Sequence, residues 1–328
     1  MLPFAPLSRR TALCLLAMAA AGATRAADGR PLRLLVAYPA GGPTDLLARQ
    51  IEPLVGAALG RSIVVENVPG ASGGLGVGRL LNPPDPAATA VLVGTPSETV
   101  LAPLVNTALP YRPDQLRLLA LLSHVPVALV GGVHLTAPTV AELLDGRRAG
   151  DAPLSFAHYG VGSHGHLAAE DFTARAGIEA TQVPYGGVVL AVRDLVGGRA
   201  DLSFVPFNRA TQELVDQGRL RLYGFASGTG APRYPDAPRI DTWRGFTGFR
   251  HDLWTGAFVR RDTPPAQCAE LRAALQAALA DDAFRRLKAD EGVVVASAMG
   301  ERDADRWFDD EVARYRALAT RLAPRLRG

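Results

Sequence analysis

The sequence predicts an α/β protein of two lobes, each a mostly parallel sheet flanked by helices, with a cleft between the lobes. Three observations predict it. Apolar, β-rich runs alternate with segments of helical periodicity through most of the chain. The 328 residues exceed one ordinary domain and suit two domains of about 100 to 150 residues. A second group of strands lies inside the first in sequence, so the chain crosses between lobes twice, and a cleft between hinged lobes is a common place for a small ligand.

The N-terminal residues 1–26 read as a secretory signal peptide. Arg9 and Arg10 precede a short apolar run at residues 11–22, and small residues follow near position 26. The apolar run is shorter than the roughly 20 residues that a membrane-spanning helix needs. We therefore expect export to the periplasm and a mature chain that begins near Asp28. The paired arginines leave both the general secretory route and the twin-arginine route open.

Charge and cysteine content exclude several classes of protein. The signal contains three arginines and no acidic residue, so its removal lowers the formal net charge from +3 to zero. The remaining chain is not basic, and we expect no nucleic-acid partner and no anionic membrane partner. Loss of Cys14 with the signal leaves only Cys268, which excludes an intrachain disulfide. We expect a monomer.

The first lobe is predicted to begin with three strands and one long helix. The strands cover residues 32–37, 63–66 and 90–94. Residues 45–59 form a helix with apolar side chains on one face, and Pro53 should kink or divide this helix. This part of the lobe comprises residues 28–124.

The second lobe is predicted over residues 125–226, after an apolar stretch at residues 118–131 that crosses between the lobes. Its strands cover residues 154–157, 181–184 and 202–205, with helices at 166–176 and 188–196 and a returning segment at 219–226. Residues 227–328 then complete the first lobe, with a strand at 253–259 and helices at 265–279, 282–291 and 301–322.

Five turns at the predicted carboxyl ends of strands are rich in glycine and small hydroxyl residues. They are residues 38–44 (YPAGGPT), 69–74 (PGASGG), 95–99 (TPSET), 159–164 (YGVGSH) and 185–187 (YGG). Ligands of open α/β sheets bind outside this edge, where helix N-termini present free N–H groups. Together the turns suit a carboxylate. Asp45 follows the first turn, and the sequence leaves open whether it complements the helix dipole or contacts a ligand.

Enzymatic and metal-binding alternatives receive weaker support from the sequence. Residues 70–74 match the G-x-S-x-G pattern of a nucleophile elbow, which makes a secreted serine hydrolase using Ser72 an alternative; Ser72, however, does not follow its strand directly, because Val68, Pro69 and Gly70 intervene. His158, His164 and His166 have no Cys or acidic residue at ligand spacing, so we expect no metal. The chain lacks a P-loop, and the glycines at positions 70, 73, 74, 76 and 78 do not form the pattern G-x-G-x-x-G, so we expect no cofactor.

Four motifs in order resemble one family. They are residues 38–45 (YPAGGPTD), 64–73 (VVENVPGASG), 162–167 (GSHGHL) and 183–187 (VPYGG), and the similarity extends over nearly the whole mature chain. The chain resembles the Bug-type extracytoplasmic receptors of tripartite tricarboxylate transporters. The resemblance implies a periplasmic-binding-protein-like fold of type II and a receptor, not an enzyme, that closes on a small carboxylate. Its expected partners are that ligand and the membrane permease subunits; an orphan sensor for a signalling partner remains an alternative.

The resemblance also implies a set of ligand-binding residues, mapped onto this sequence motif by motif. The first turn supplies Tyr38, Gly41, Gly42 and Asp45, and the other motifs supply Ser72, Thr95, Ser97, Gly162, Ser163, His166 and Tyr185. The segment Ala157-His158-Tyr159 is bulkier than the family usually has, so His158 is expected to add a ring donor. Other departures, such as Gly186 where the family usually has lysine, leave the choice between carboxylates open.

Overall fold

The computed structural model describes residues 30–85, 88–145, 152–226, 228, 231 and 233–326. The predicted signal peptide lies outside these residues. No helix in the described part of the chain is both long enough and apolar enough to cross a membrane.

Eleven strands form two separate sheets within the described residues. In chain order they are β1 (Leu32–Val36), β2 (Ile63–Asn67), β3 (Ala90–Gly94), β4 (Leu116–Val125), β5 (Val127–Gly132), β6 (Leu154–His158), β7 (Ala180–Pro184), β8 (Leu202–Pro206), β9 (Leu220–Phe225), β10 (Leu253–Arg260) and β11 (Val294–Val295). The first sheet has the order β11-β4-β10-β3-β1-β2, and the second has the order β7-β6-β8-β5-β9. The first sheet thus contains strands from both ends of the chain, and the second lies between them in sequence.

Ten α-helices flank the two sheets in the same part of the chain. They are α1 (Pro43–Leu59), α2 (Gly74–Leu81), α3 (Ala102–Val105), α4 (Val140–Asp145), α5 (His164–Ala176), α6 (Val188–Val196), α7 (Arg209–Asp216), α8 (Pro265–Ala280), α9 (Asp282–Asp290) and α10 (Glu301–Leu326). A π-helical segment, Ser97–Leu101, precedes α3. The two-lobed α/β fold predicted from the sequence is confirmed.

The sheets are mixed, where the sequence predicted mostly parallel ones. β1 pairs in parallel with β2 and β3, and β6 pairs in parallel with β7 and β8. β10 runs antiparallel to β3 and β4, and β5 runs antiparallel to β8 and β9. The connections between lobes explain the reversal. A strand that enters from the other lobe starts at the edge of the sheet where the parallel strands end. It therefore runs antiparallel to those strands.

The first crossing between the lobes is short. β4 and β5 are separated by Pro126 alone, and the Phe207 N–H donates to its carbonyl at 2.7 Å. Proline has no N–H, so it ends the hydrogen-bonding of one strand before the next begins.

The sequence predicted that Pro53 would kink or divide α1. The structure shows that Pro53 does not divide the helix, which is continuous over Pro43–Leu59; Pro53 lies on the exposed side of this helix.

The second lobe is built around a cluster of phenylalanines. Phe172 of α5 is fully buried, and its ring lies 5.1 to 6.2 Å from the rings of Phe156, Phe204, Phe246 and Phe249. Two of these rings come from the segment after β9. We therefore propose that the chain leaves the second lobe after Phe249, later than position 227.

Candidate functional site: a cavity between the lobes

A cavity of about 260 Å³ lies between the two lobes and is lined by both. The first lobe contributes Tyr38 and Gly42 from the loop before α1 and Pro43 at the start of that helix, and the second contributes Tyr159, Gly187 and Asn208. The wall is mainly apolar, as is usual for small-molecule sites, and a few polar groups interrupt it.

Two helices begin at the cavity without a side-chain cap. α1 follows Gly42 and α6 follows Gly187, and neither helix has a side-chain cap hydrogen bond at its N-terminus. The first N–H groups bonded within these helices are those of Leu46 and Ala191, to Gly42 and Gly187 respectively. The N–H groups of Thr44 and Asp45 in α1 and of residues 188–190 in α6 have no intrahelical acceptor, because a helix leaves its first N–H groups unpaired; Pro43 has no N–H. Such a terminus favours an anion through these N–H groups and the helix dipole.

The N-terminus of α5 is different, because its N–H groups are already bonded. The Ser163 N–H donates to the Gly160 carbonyl at 3.0 Å, and the His166 N–H donates to Ser163 Oγ at 3.3 Å. The His164 N–H donates to Ser97 Oγ of the first lobe at 3.0 Å. The helix that carries Ser163 is thus capped by its own serine and by the opposite lobe.

Ser72 makes a second hydrogen bond between the lobes. Its hydroxyl donates to the Val161 carbonyl at 2.5 Å. Ser72 has a φ of 52°, in the left-handed region that non-glycine residues rarely adopt. An alanine Cβ at Gly160 would lie 2.5 Å from Ser72 Oγ, so the close approach requires glycine there. The hydroxyl contacts a main-chain carbonyl of the opposite lobe.

Tyr38 and Thr95 connect the cavity wall to a buried carboxyl group, that of Glu98. Glu98 is fully buried; its Oε2 accepts hydrogen bonds from the Thr95 hydroxyl at 2.6 Å and the Tyr38 hydroxyl at 3.2 Å. Its Oε1 accepts the Thr95 N–H at 2.7 Å. Burial raises the pKa of Glu98 to about 7, although these hydrogen bonds oppose the shift. The group therefore changes charge near neutral pH.

Asp45 holds the loop before α1 in place. It is 2% exposed, and its Oδ2 accepts the Gly41 N–H at 2.8 Å. Asn67 Nδ2 donates to its Oδ1 at 2.9 Å, and Arg49 Nε lies 3.0 Å from Oδ2. Burial acts to raise the pKa of Asp45, but the hydrogen bonds from Arg49, Gly41 and Asn67 outweigh it and lower the pKa. Asp45 therefore remains ionised and fixes the conformation of the loop, including the φ of 82° at Gly41.

His158 and His166 form a stacked pair behind the N-terminus of α5. Their ring centroids are 4.3 Å apart. His158 Nδ1 bonds the Gly160 carbonyl at 2.9 Å, and His166 Nδ1 accepts the Gly162 N–H at 3.1 Å. Burial lowers the pKa of His158 to about 4 and that of His166 to about 3. Both rings are neutral at physiological pH and shape the 159–164 turn.

The predicted site residues separate into two groups in the structure. Tyr38, Gly42 and Thr95 line the cavity. The others lie beside it: Gly41 in the loop before α1, Asp45 in the first turn of α1, Ser72 and Ser97 at contacts between the lobes, His158, Gly162, Ser163 and His166 around the start of α5, and Tyr185, whose hydroxyl donates to Asp194 Oδ2 at 3.1 Å. Their contact with a ligand stays a prediction.

Sequence reasoning missed several residues that line the cavity. Tyr159 and Gly187 belong to turns that the sequence singled out, so the signal was present. Lys288 and Glu291, from the end of α9, lie far from every motif. One signal for Lys288 was available, because it is the only lysine in the chain.

The described residues contain no group of three or more His, Cys, Asp and Glu side chains that could hold a metal ion. Cys268 is a free, buried thiol.

Two α/β lobes with a cavity between them are the architecture of the periplasmic-binding-protein fold. The family model described as "Tripartite tricarboxylate transporter family receptor" matches residues 47–323. The chain belongs to this receptor family, and the resemblance to Bug-type receptors is confirmed.

Individual relatives agree with the family. A Pseudomonas sp. (strain P51) protein named "UPF0065 protein in tcbD-tcbE intergenic region" is 31% identical over 291 residues, which cover 88% of this chain and 85% of the relative. The periplasmic binding protein BugD superposes with a TM-score of 0.81 at 26% identity, over 90% of this chain and 98% of BugD. The Rpa4515 protein of R. palustris, solved with adipate, also gives a TM-score of 0.81, at 27% identity and with the same coverage.

Proposed function

We propose that this protein is a periplasmic receptor that captures a small carboxylate and delivers it to the permease of a tripartite carboxylate transporter. The observation that carries the proposal is the pair of uncapped helix N-termini, those of α1 and α6, at one cavity shared by both lobes. A carboxylate in the cavity would accept hydrogen bonds from main-chain N–H groups of both lobes. The ligand would thereby hold the lobes together.

Membership of a receptor family and the adipate bound to Rpa4515 support this ligand class. Binding through main-chain donors needs no reactive side chain, and we assign no catalytic step to the protein. Ser72, the candidate for a hydrolase, donates its hydroxyl to a carbonyl. If Ser72 were a nucleophile, a fluorophosphonate probe would label it, and Ser72→Ala would abolish the labelling.

The direct test is a thermal-shift screen of the mature protein against dicarboxylates, aromatic acids and amino acids. A ligand at 100 times its dissociation constant should stabilise the folded state by about 2.7 kcal/mol. Titration calorimetry of the hits gives the affinity. A screen in which no carboxylate raises the melting temperature would contradict the proposal. Uptake of the identified solute by cells, with and without the gene for this receptor, separates transport from a sensory role.

Gly187→Leu is expected to weaken carboxylate binding about tenfold or more, equivalent to about 1.4 kcal/mol or more. Gly187 lines the cavity, and a Cβ there would already contact Pro39 of the opposite lobe, at 3.7 Å from its Cδ. The rest of a leucine side chain would occupy ligand space or hold the lobes apart. Calorimetric titration with the best screened ligand measures the effect.

Gly186→Leu is the matched control. Gly186 is exposed and does not line the cavity, and a Cβ there would meet only Leu190 Cδ1, at 3.8 Å. The affinity of Gly186→Leu for the carboxylate should stay within about twofold of that of the wild type. Equal loss of affinity in both variants would show that leucine in this turn disturbs α6 rather than the cavity.

A further inference from the structure

One ion pair interrupts the apolar wall of the cavity. Lys288 and Glu291 are the only formally charged side chains among the residues that line it. The chain contains 34 arginines and one lysine, and that lysine is 2% exposed in this wall. Lys288 Nζ lies 2.6 Å from Glu291 Oε2. A buried ammonium group is costly unless hydrogen-bond acceptors surround it.

The two partners differ in their remaining hydrogen-bonding capacity. Glu291 receives a donor on each carboxylate oxygen, Gln50 Nε2 on Oε1 at 2.7 Å and Lys288 on Oε2. Lys288 has three N–H donors, and Glu291 is the acceptor of one of them. The ammonium group also makes a cation–π contact with Phe284, with Nζ 5.8 Å from the ring centroid. The spare capacity at this pair is therefore donor capacity, which suits an oxygen acceptor on a ligand.

In the described part of the chain, the pair shares no hydrogen bond with the polar cluster of Tyr38, Thr95 and Glu98. Lys288 and Glu291 are tied to α1 through Gln50, and the Glu291 carbonyl accepts the N–H of Arg209, the first residue of α7. Apolar residues such as Leu46, Leu190 and Leu253 complete the wall. A ligand held at the helix N-termini by one carboxylate would meet apolar surface and, separately, this ammonium group.

From this geometry we infer that Lys288 binds a second carboxylate of the ligand and so selects dicarboxylates over monocarboxylates of the same length. The inference rests on the proposed function. The second carboxylate supplies an acceptor to the spare N–H donors of Lys288 in a water-poor wall, where charge-assisted hydrogen bonds are strong. Glu291 still accepts the hydrogen bond from Gln50 Nε2 when Lys288 also donates to the ligand.

The first test compares adipate with hexanoate by calorimetry, on the wild type and on Lys288→Met. The wild type should bind adipate more tightly than hexanoate. In Lys288→Met the affinity for adipate should fall at least tenfold, while that for hexanoate should change less than threefold. Arg286→Met is the matched control, since Arg286 is an exposed base on the same helix. It should retain the preference of the wild type.

Lys288→Met/Glu291→Gln keeps the wall neutral if the single variant fails to fold. This double variant should also lose the preference for adipate over hexanoate. An equal loss for both acids, or an unchanged preference, would overturn the role of Lys288. A wild type that binds neither these acids nor any other carboxylate in the screen would instead overturn the proposed function, and this inference with it.

The second test needs no substitution. Because the chain has one lysine, protein labelled with ¹³C-lysine gives one Cε–Hε signal, and that signal belongs to Lys288. Saturating adipate should shift it, and saturating hexanoate should shift it much less. If the two acids shift the signal equally while both bind, Lys288 does not contact the second carboxylate.

Discussion

Replacing Asp171 with alanine is expected to lower the free energy of unfolding by about 1–3 kcal/mol, the usual cost of leaving a buried hydrogen-bonding group, here His251, without its partner. Asp171 is 1% exposed on α5. Its carboxylate oxygens lie 3.0 Å from His251 Nε2, 2.9 Å from Arg175 Nε and 3.0 Å from Arg321 Nη1. These partners come from α5 itself, from α10 and from the segment before β10. The carboxylate thus joins the second lobe to the C-terminal helix.

Urea denaturation at pH 7 measures this effect. Asp310→Ala is the matched control, because Asp310 lies exposed on α10; its effect should stay within about 0.5 kcal/mol. Comparable losses in the two variants would contradict the role of Asp171.

The effect of Asp171→Ala should also shrink in acid. Burial acts to raise the pKa of Asp171, but His251, Arg321 and Arg175 outweigh burial and hold the pKa well below its usual range. A carboxyl with a lowered pKa contributes its stability above the unfolded value of about 3.8 and loses it as the pH falls further. The unfolding free energies of variant and wild type should therefore converge at low pH. A difference that stays constant between pH 7 and pH 2 would contradict the ionic origin of the effect.

Glu98→Gln is expected to remove a decline in stability that the wild type shows as the pH rises. The folded-state pKa of Glu98 is raised from 4.5 to about 7, so between these values the folded protein binds more protons than the unfolded chain. Stability must then fall with rising pH across this window, by roughly 3 kcal/mol in total. Glutamine cannot ionise. The side-chain oxygen of glutamine can still accept the Thr95 N–H. Its NH₂ group can donate to the hydroxyls of Thr95 and Tyr38, which then act as acceptors instead of donors.

The measurement is the unfolding free energy of both proteins at pH 4.5, 6 and 8. The difference between Glu98→Gln and the wild type should move in favour of the variant as the pH increases. Glu270→Gln, at an exposed position of α8, should leave the curve of the wild type unchanged. Parallel curves for Glu98→Gln and the wild type would mean that Glu98 ionises as an ordinary carboxyl group does.

The strands and helices were largely predictable, because burial imposes local patterns. The apolar run at residues 118–131 was recognised as a crossing, and the structure divides it at Pro126 into β4 and β5. The mixed pairing of the sheets was not predicted, because direction within a sheet depends on which edge the chain enters, and local composition does not record this.

The candidate site was predictable only in part. The sequence located the turns, but it treated the N-termini of α1 and α5 alike. Whether a helix terminus is free for a ligand depends on distant partners, as with Ser97 and α5. Glu98, Asp171 and Lys288 were missed as participants for the same reason. Their burial and pairing arise from contacts that form only on folding.

The hydrogen bonds from Ser72 to Val161 and from His164 to Ser97 join the two lobes without lining the cavity. If a solute escapes by separation of the lobes, both bonds must break first. The residence time of the solute would then depend on two hydroxyl groups that need never touch it. Removing both hydroxyls would therefore speed the exchange of solute in both directions.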